Sequence, residues 1–249
     1  MKTSFVLLTW NRYKFLELCL EALIASIANT AESEIIVMDN GSTDNTAEVL
    51  KRYRGNKLVR VIARDKNYGL NAYKKLFSYA KGERIVIVDD DVLSFPPQLD
   101  LIFEDYMQTF TNYGFIALNV VQDEFTNGAK PGPEHYIEET INGKTIEFGP
   151  TGGWCACFRK ADYRKIWLRV AFADLDMKNS EDGFLVHTFQ KRLKLKSGII
   201  KNEICFHATG PHYAKQYGHL DREIEKYKQS GLQELADNYE KYNSNQIMQ

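Results

Sequence analysis

The apolar residues of the first half of the chain form short continuous runs that alternate with stretches of helical spacing. Runs rich in Val and Ile, bounded by glycine or polar residues, are typical of strands buried on both faces. The predicted strands are residues 4–9, 34–38, 58–63 and 85–88, and the predicted helices are residues 13–27, 47–53 and 70–80. Because a helix connects each strand to the next, we predict an α/β fold with a Rossmann-like, mostly parallel central sheet and helices on both faces.

The second half is less regular. A helix over 99–110 and a strand over 115–121 continue the first pattern, and Asn142-Gly143 within an alternating stretch predicts a β-hairpin over 137–148. The remaining patterns predict a strand over 154–159, helices over 161–168 and from about 180 to 193, strands within 199–207 and a charged helical segment from 220 that frays at its end. Since no repeat or low-complexity linker is present, we expect one domain over 1–249, divided into 1–121, 122–219 and a helical tail, 220–249.

Three acidic residues, Asp89, Asp90 and Asp91, follow the predicted strand 85–88. Adjacent carboxylates repel one another unless a cation or a hydrogen-bonding ligand lies between them. In open parallel sheets, ligands bind outside the carboxyl ends of the strands. We therefore interpret Asp89 and Asp91 as the floor of a metal–phosphate site, with acids in a solvated turn or at a helix N-terminus as the alternative.

Composition narrows the class of protein. The chain has 249 residues, 44% of them hydrophobic and 26% charged, which is typical of a soluble globular protein. A formal net charge of −1 argues against nucleic acid or an anionic bilayer as an obligatory partner. No apolar run is long enough for a transmembrane helix, and the start does not match a signal peptide, so we expect a cytoplasmic protein with reduced cysteines.

Several motifs together resemble family 2 glycosyltransferases of the GT-A fold, over roughly residues 3–210. The opening residues 5–12 resemble the first strand and nucleotide loop of that family, and residues 35–44, which contain Asp39, are very close to its second-strand motif. Asn67-Tyr68-Gly69 followed by Lys74 is similar to the third loop. Asp89-Asp90-Asp91 matches the DxD motif, and Glu181-Asp182 matches the later acidic pair. Departures are Trp10 in place of the common tyrosine and Asn40 in place of a frequent acid. Residues 122–150 contain no recognisable motif of the family, which leaves the acceptor open.

The resemblance implies a nucleotide-sugar donor, with UDP as the default base. Asp39 is then expected to hydrogen-bond the base or ribose, with Thr9 and Trp10 beside the base. Arg12 or Lys74 is expected to meet the diphosphate. The other donor-binding residues that the resemblance implies are Asn67, Gly69, Asp89, Asp90, Gly153 and Trp154. Capping of a helix by Asp39, surface salt bridges for the two cations and simple burial of Trp154 are the alternatives.

The same resemblance implies a divalent cofactor, Mn²⁺ or Mg²⁺, since both ions prefer hard oxygen ligands. Asp91 is expected to bind the metal directly, and Asp89 to contact ribose or a metal-bound water. His207 is the candidate third ligand, and His212 is its rival.

Asp182 is the candidate catalytic base, and Glu181 is expected to orient the acceptor or a loop. The implied reaction is an inverting sugar transfer to a hydroxyl of a glycan or glycoconjugate. The alternatives are a non-catalytic nucleotide-sugar or carbohydrate-binding module and a metal-dependent phosphatase. A phosphatase of the haloacid-dehalogenase type expects Thr or Val where Leu93 stands. The sugar, the acceptor and the oligomeric state stay open, as does a peripheral membrane contact with a lipid-linked acceptor.

Overall fold

The computed structural model describes residues 1–126 and 130–245, with side chains described as far as residue 243. The strands are Thr3–Thr9 (β1), Ser33–Asp39 (β2), Val59–Ala63 (β3), Arg84–Asp89 (β4), Val92–Ser94 (β5), Tyr113–Val120 (β6), Ile137–Ile141 (β7), Lys144–Phe148 (β8), Cys155–Arg159 (β9) and Lys196–His207 (β10). The α-helices are Tyr13–Ser26 (α1), Thr46–Lys51 (α2), Ala72–Tyr79 (α3), Leu99–Thr109 (α4), Lys160–Phe172 (α5), Glu181–Thr188 (α6), Pro211–Gln216 (α7), Leu220–Gln229 (α8) and Gln233–Asn245 (α9).

The strands of the described residues form one sheet in the order β3-β2-β1-β4-β9-β6-β10-β8-β7, and β5 pairs with β10 beside it. The first four strands are mutually parallel, and their apolar runs are buried on both faces, as in Ile85–Val88 of β4. The predicted α/β sheet is therefore confirmed. The sequence did not reveal that β9 inserts between β4 and β6, antiparallel to both.

The register of the parallel strands brings their ends to one edge. Thr9 at the end of β1 pairs with Asp39 at the end of β2, and Leu8 pairs with Asp89 at the end of β4. The polar residues that follow these strands consequently start from neighbouring points.

One hairpin turn agrees with the sequence prediction, whereas two helix ends differ from it. The predicted hairpin is present as β7 and β8, and its turn residues Asn142 and Gly143 have φ angles of 51° and 76°, as a tight turn with left-handed central residues requires. In contrast, the helix predicted from residue 70 begins with a 3₁₀ turn at Gly69–Asn71 and becomes α-helical only at Ala72. The helix predicted to reach residue 193 ends its α-helical part at Thr188 and continues as a π-helical turn, Phe189–Leu193.

The short strand β5 was not predicted, because three residues before a pair of prolines give no periodic pattern. It pairs antiparallel with the end of β10, where Val92 lies opposite His207 and Ser94 opposite Phe206. Several strands were expected within 199–207, but β10 is one irregular strand whose register shifts between Ile200 and Ile204. The pairing holds the end of β10 against the chain that follows β4.

The charged segment from residue 220 forms α8 and α9, which pack on the rest of the protein. Tyr239 and Ala236 of α9 are buried, as is Leu220 of α8. The predicted fraying concerns residues 246–249, which lie outside the described residues. All four cysteines are free and buried. Among residues 1–126 and 130–245, no helix has the length and apolar character needed to cross a bilayer.

A matched pair of glycines tests how tightly the loop after β2 is packed. Gly41 and Gly143 both have φ +76°, but a Cβ at Gly41 would lie 2.5 Å from the backbone carbon of Lys66, whereas nothing lies within 4 Å at Gly143. We expect Gly143→Ala to lower the free energy of unfolding by about 1 kcal/mol, through backbone strain alone. Gly41→Ala should cost about 2 kcal/mol more, because the backbone of residue 66 must shift. Urea unfolding measures both, and equal losses would contradict the packing.

Candidate active site

A cavity of about 720 Å³ opens where the parallel strands end. Its walls come from the segments after β1, β3 and β4, the segment from 174 to 182, the end of β10, and helices α8 and α9. The lining residues that were also expected from the sequence are Thr9, Trp10, Arg12, Asn67, Gly69, Asp89, Asp90, Asp91, Glu181, Asp182 and His207. Lys74, Asp39, Gly153 and Trp154 do not line it.

The acidic triplet is held together by internal partners. The Thr9 hydroxyl donates to Asp90 at 2.6 Å, and Arg12 donates from Nη1 to the other oxygen of Asp90 at 2.7 Å. Arg12 Nη2 also donates to Asp91. Asp90 is only 3% exposed, so its charge is compensated by protein groups. Burial alone would raise the pKa of Asp91, but Arg12 and His207 outweigh it and hold that pKa well below its usual range.

Asp89, Asp91 and His207 form a group with the donor atoms of a metal site, and these atoms all lie within 4.8 Å of one another. His207 Nε2 lies 3.0 Å from Asp91 Oδ1 and 3.8 Å from Asp89 Oδ2. Two ligands held at about 2.1 Å from an octahedral ion, at a right angle, lie roughly 3.0 Å apart. The observed spacing and the two oxygen donors with one nitrogen therefore fit a hard or borderline divalent ion such as Mg²⁺ or Mn²⁺.

Neighbouring contacts orient the imidazole of His207. Val92 of β5 pairs with His207, and the indole of Trp154 stacks beside its ring with centroids 6.3 Å apart. The other ring nitrogen, Nδ1, is buried with no hydrogen-bond partner in the described part of the chain. The nitrogen that faces the acids is consequently Nε2.

The rival histidine, His212, lies elsewhere. Its Nδ1 is 2.9 Å from the hydroxyl of Tyr242, and its ring stacks on Phe125 at 4.0 Å between centroids. His212 does not line the cavity. The structure thus brings His207, and not His212, to the acids.

The second acidic pair begins α6. Asp182 Oδ1 accepts from the backbone N–H of Gly183 at 2.6 Å and from the hydroxyl of Ser180, the N-cap residue. A Cβ on Gly153 would lie 3.0 Å from the Cβ of Asp182, so the glycine allows this close approach. Gly153 therefore acts on the position of Asp182 rather than as part of the cavity wall.

Burial raises the pKa of two acids in this region, Glu181 of this pair and Asp89 of the acidic triplet. Glu181 is 7% exposed, and burial, together with the negative charges of Asp182 and Asp89, raises its pKa well above the ordinary value. Burial also raises the pKa of Asp89 to about 7, against the attraction of His207 and with the repulsion of Asp91. Asp89 and Glu181 thus lack full compensation by positive charge, unlike Asp91, whose pKa Arg12 and His207 hold low, and an incompletely compensated carboxylate is expected where a cation binds.

The loop after β2 and the third loop are joined by Asn40. Its side-chain amide donates to Asn67 Oδ1 at 2.8 Å, and its Oδ1 accepts from the backbone N–H of Tyr68 at 3.1 Å. An acid could accept but not donate, so asparagine suits this position better than the acid expected from the family pattern. Asp39 itself accepts from the backbone N–H of Ser42 at 2.9 Å. That contact closes a turn after β2 and is not the helix cap weighed as the alternative, because α2 begins at Thr46 with Asn45 as its N-cap residue.

Lys74 and Trp154 have partners away from the cavity. Lys74 donates from Nζ to the carbonyl of Ala173, which anchors the end of α5. Trp154 is 5% exposed, and its Nε1 donates to the carbonyl of Leu118 at 2.9 Å. Both residues support the elements around the cavity.

The contribution of α8 could not be recognised from the sequence. Arg222 donates to the carbonyl of Trp10 at 3.0 Å, and its guanidinium lies 4.9 Å from the centre of the indole ring. Glu223 lies 3.3 Å from Arg12 and 2.5 Å from Lys226. Burial would raise the pKa of Glu223, but its three cationic neighbours hold it well below the usual range. A helix with many charged residues is expected to be exposed to solvent. Only the tertiary structure shows that Glu223 of this helix contacts Arg12.

The family-model comparison places the chain in a class of proteins. The model for glycosyl transferase family 2 matches residues 4–167, from β1 into α5. The chain belongs to this family. One curated relative is an uncharacterized glycosyltransferase, MG060, of Mycoplasma genitalium, which is 29% identical over 113 residues, or 43% of this chain and 38% of the relative. The chain thus spans less than half the length of that relative.

Solved structures with the same fold extend the likeness to most of the chain. Staphylococcus aureus TarS, residues 1–349, in complex with UDP-GlcNAc superposes with a TM-score of 0.64 at 16% identity, covering 94% of this chain and 66% of that one. The mannosyltransferase PcManGT of Pyrobaculum calidifontis, in complex with GDP-Man and Mn²⁺, superposes with a TM-score of 0.63 at 15% identity, covering 90% and 64%. The fold is therefore the GT-A fold of glycosyltransferases, as the sequence motifs predicted.

The buried acid Glu181 gives a prediction about pH. Because its pKa is raised in the folded protein above the ordinary value of 4.5, the unfolded chain loses this proton first as pH rises. Its contribution to stability is complete below about pH 4.5 and is lost as pH rises through the raised pKa. We expect Glu181→Gln to remove that loss and to increase the free energy of unfolding at pH 8 relative to the parent protein. At pH 4 the two proteins should be equally stable. Urea unfolding in the presence of a chelator measures the difference. If Glu181→Gln and the parent protein are equally stable at pH 8 as well as at pH 4, the raised pKa is contradicted.

Proposed function

We propose that the protein transfers a sugar from a nucleotide diphosphate donor to an acceptor hydroxyl, with inversion and with a divalent ion, in the cavity at the carboxyl edge of the sheet. The observation that carries this proposal is that Asp89, Asp91 and His207 share one cavity with Asp182. A binding module requires only the first group, whereas sugar transfer also requires a base.

Donor binding is assigned to residues 1–121, and the acceptor side to residues 122–219. We propose that the base lies against Trp10 and near the Asn40–Asn67 bridge, where an aromatic face and amide groups line the cavity. UDP is the default base, in keeping with the UDP-GlcNAc complex of TarS; the GDP-Man complex of PcManGT shows that this fold also holds another base. The donor diphosphate then extends towards Asp89 and Asp91.

Asp89, Asp91 and His207 would hold the ion, which when bound offsets the negative charge that develops on the departing diphosphate. Arg12 keeps Asp90 and the second oxygen of Asp91 occupied, so Asp91 Oδ1 is the oxygen that faces His207. This arrangement directs one carboxylate oxygen and one imidazole nitrogen to the same point. Arg12, first expected at the diphosphate, is proposed instead to position the acids.

Asp182 is proposed to accept the proton of the acceptor hydroxyl as its oxygen attacks the anomeric carbon. The new carbon–oxygen bond forms while the bond to the diphosphate breaks, so the nucleotide diphosphate leaves with the bonding electrons and the configuration inverts. Glu181, buried beside Asp182, orients the start of α6.

The metal assignment predicts a loss of metal-dependent binding. In isothermal titrations with UDP, Mn²⁺ should strengthen binding to the parent protein, and Asp91→Asn should remove that gain. Loss of a residue that only orients a metal ligand already costs about 10- to 100-fold in metal affinity, and loss of a ligand should cost at least as much. His207→Gln should act in the same direction, whereas His212→Gln should not, because His212 lies outside the cavity. Asp105→Asn, at an exposed acid, controls for loss of charge. UDP affinity that is the same with and without Mn²⁺ in the parent protein would refute the assignment.

The base assignment predicts a loss of turnover without a loss of donor binding. Asp182→Asn should lower kcat for UDP release in the presence of acceptor by roughly 10²- to 10⁴-fold, while UDP affinity stays unchanged. Asp221→Asn is the matched control, because Asp221 is also a first-turn helix acid but begins α8. Near-normal turnover of Asp182→Asn would exclude Asp182 as the base. No turnover by the parent protein on a panel of donors and acceptors, despite tight binding, would favour the binding-module alternative.

A further inference from the structure

The outer face of α5 exposes large apolar side chains in its last two turns. Trp167, Leu168 and Phe172 are 51%, 53% and 87% exposed, and we call these three residues the α5 face. Scattered apolar residues on a surface need no explanation, but a cluster that includes two aromatic rings indicates a site of contact. The buried residues Ile166 and Val170 hold the opposite side of the helix against the protein. The α5 face is therefore firmly supported and uncovered.

A groove of about 570 Å³ lies between α5 and the helical segment 181–193. Two residues of the α5 face, Leu168 and Phe172, line it, and we call it the basic groove because its ionisable lining residues are all basic: Arg169, His187, Lys191 and Arg192. No acidic residue lines it. None of the ion pairs formed within residues 1–126 and 130–243 includes Arg169, Lys191 or Arg192. In a chain with a net charge of −1, this is a local excess of uncompensated positive charge.

We propose that the α5 face and the basic groove dock on a membrane surface that carries anionic lipids. Trp, Phe and Leu beside Lys and Arg on a helix are the composition that lies in a membrane interface, with the apolar side chains at the acyl boundary and the cations among the phosphates. The net charge argues only against attraction of the whole molecule to an anionic membrane. Salt screens charges beyond a Debye length of about 8 Å, so a membrane surface responds to the cations that lie within that distance. An anionic headgroup at this surface therefore interacts with the cations of the basic groove.

The charges favour a membrane over a second copy of this chain. A two-fold contact through this face would place the same surface on both sides, so the cations Arg169, Lys191 and Arg192 of both copies would lie in one interface without acidic partners from the groove. Like charges brought together in an interface cost several kcal/mol. An anionic lipid surface instead supplies a negative charge for each cation.

The basic groove is connected to the candidate active site through α6. The N-terminus of α6 carries Asp182 at the cavity, and Phe184, His187 and Thr188 of the same helix line the groove. Six residues of helix separate Asp182 from Thr188, a distance of about 9 Å at 1.5 Å per residue. This inference rests in part on the proposed function: a docked protein would have Asp182 within reach of an acceptor hydroxyl carried by a lipid headgroup.

Flotation of the full chain with vesicles tests the docking. We expect the protein to float with phosphatidylcholine vesicles that contain phosphatidylglycerol, and much less with phosphatidylcholine alone. Lys191→Gln/Arg192→Gln should lower partitioning by roughly 25-fold, taking roughly fivefold per cation. Trp167→Ser/Phe172→Ser should lower it by about tenfold or more through lost apolar contact. Because all four side chains are exposed, the variants should keep the thermal melting temperature of the parent protein.

Matched controls come from exposed residues of other elements. Ile137→Ser removes an apolar side chain that is 64% exposed, and Arg54→Gln/Lys57→Gln removes one arginine and one lysine, both exposed; neither variant should change flotation. The proposal would be overturned if the parent protein bound neither kind of vesicle, or if the variants of the α5 face and the basic groove floated to the same extent as the parent protein. A dimer in solution that Phe172→Ser dissociates, without vesicle binding, would assign the face to a second copy and also overturn it. UDP affinity of the same variants should be unchanged, so a failure here leaves the proposed function standing.

Discussion

The site depends on how the protein compensates three adjacent carboxylates at the end of one strand. Asp90 is neutralised from within by Thr9 and Arg12, whereas Asp89 and Asp91 keep oxygens near His207. Without Arg12, the buried charges of Asp90 and Asp91 would repel each other and the half-buried Asp89, in a medium where such repulsion is stronger than in water. The triplet thus separates into one structural acid and two acids that can serve a ligand. The parallel register of β1 and β4 supplies the proximity on which this depends.

The parallel half of the fold could be predicted because it rests on local patterns. Continuous apolar runs predict buried strands, and Asn142-Gly143 predicts its hairpin through the backbone conformation that these residues favour. Strand order in the second half could not be predicted, since β9 enters the sheet through contacts between residues distant in sequence. The same holds for β5, which is defined by its partner β10 rather than by its own three residues.

The sequence could indicate which residues gather at the cavity, but not which partners their side chains contact. The motif residues after β1 and β4, and the pair at α6, line one cavity. For Lys74, the sequence shows a cation at a suitable spacing but not the carbonyl of Ala173 that binds it. For Glu223, a helical charge pattern cannot reveal that one member of the pattern is turned inward towards Arg12. Tertiary contacts decide where a long side chain points, so a sequence pattern cannot show its direction.

The guanidinium of Arg12 has a consequence for how energies can be assigned in this region. It contacts Asp90, Asp91 and Glu223 at once, so these three acids share one guanidinium, although Glu223 also pairs with Arg222 and Lys226. Substitutions in such a network are not additive, because removing one partner changes the interaction of the remaining two. The free energy that any one of these acids contributes to stability therefore depends on whether the other acids are present and charged. The thermodynamic unit is the four-residue cluster, and only cycles of paired substitutions can divide its free energy.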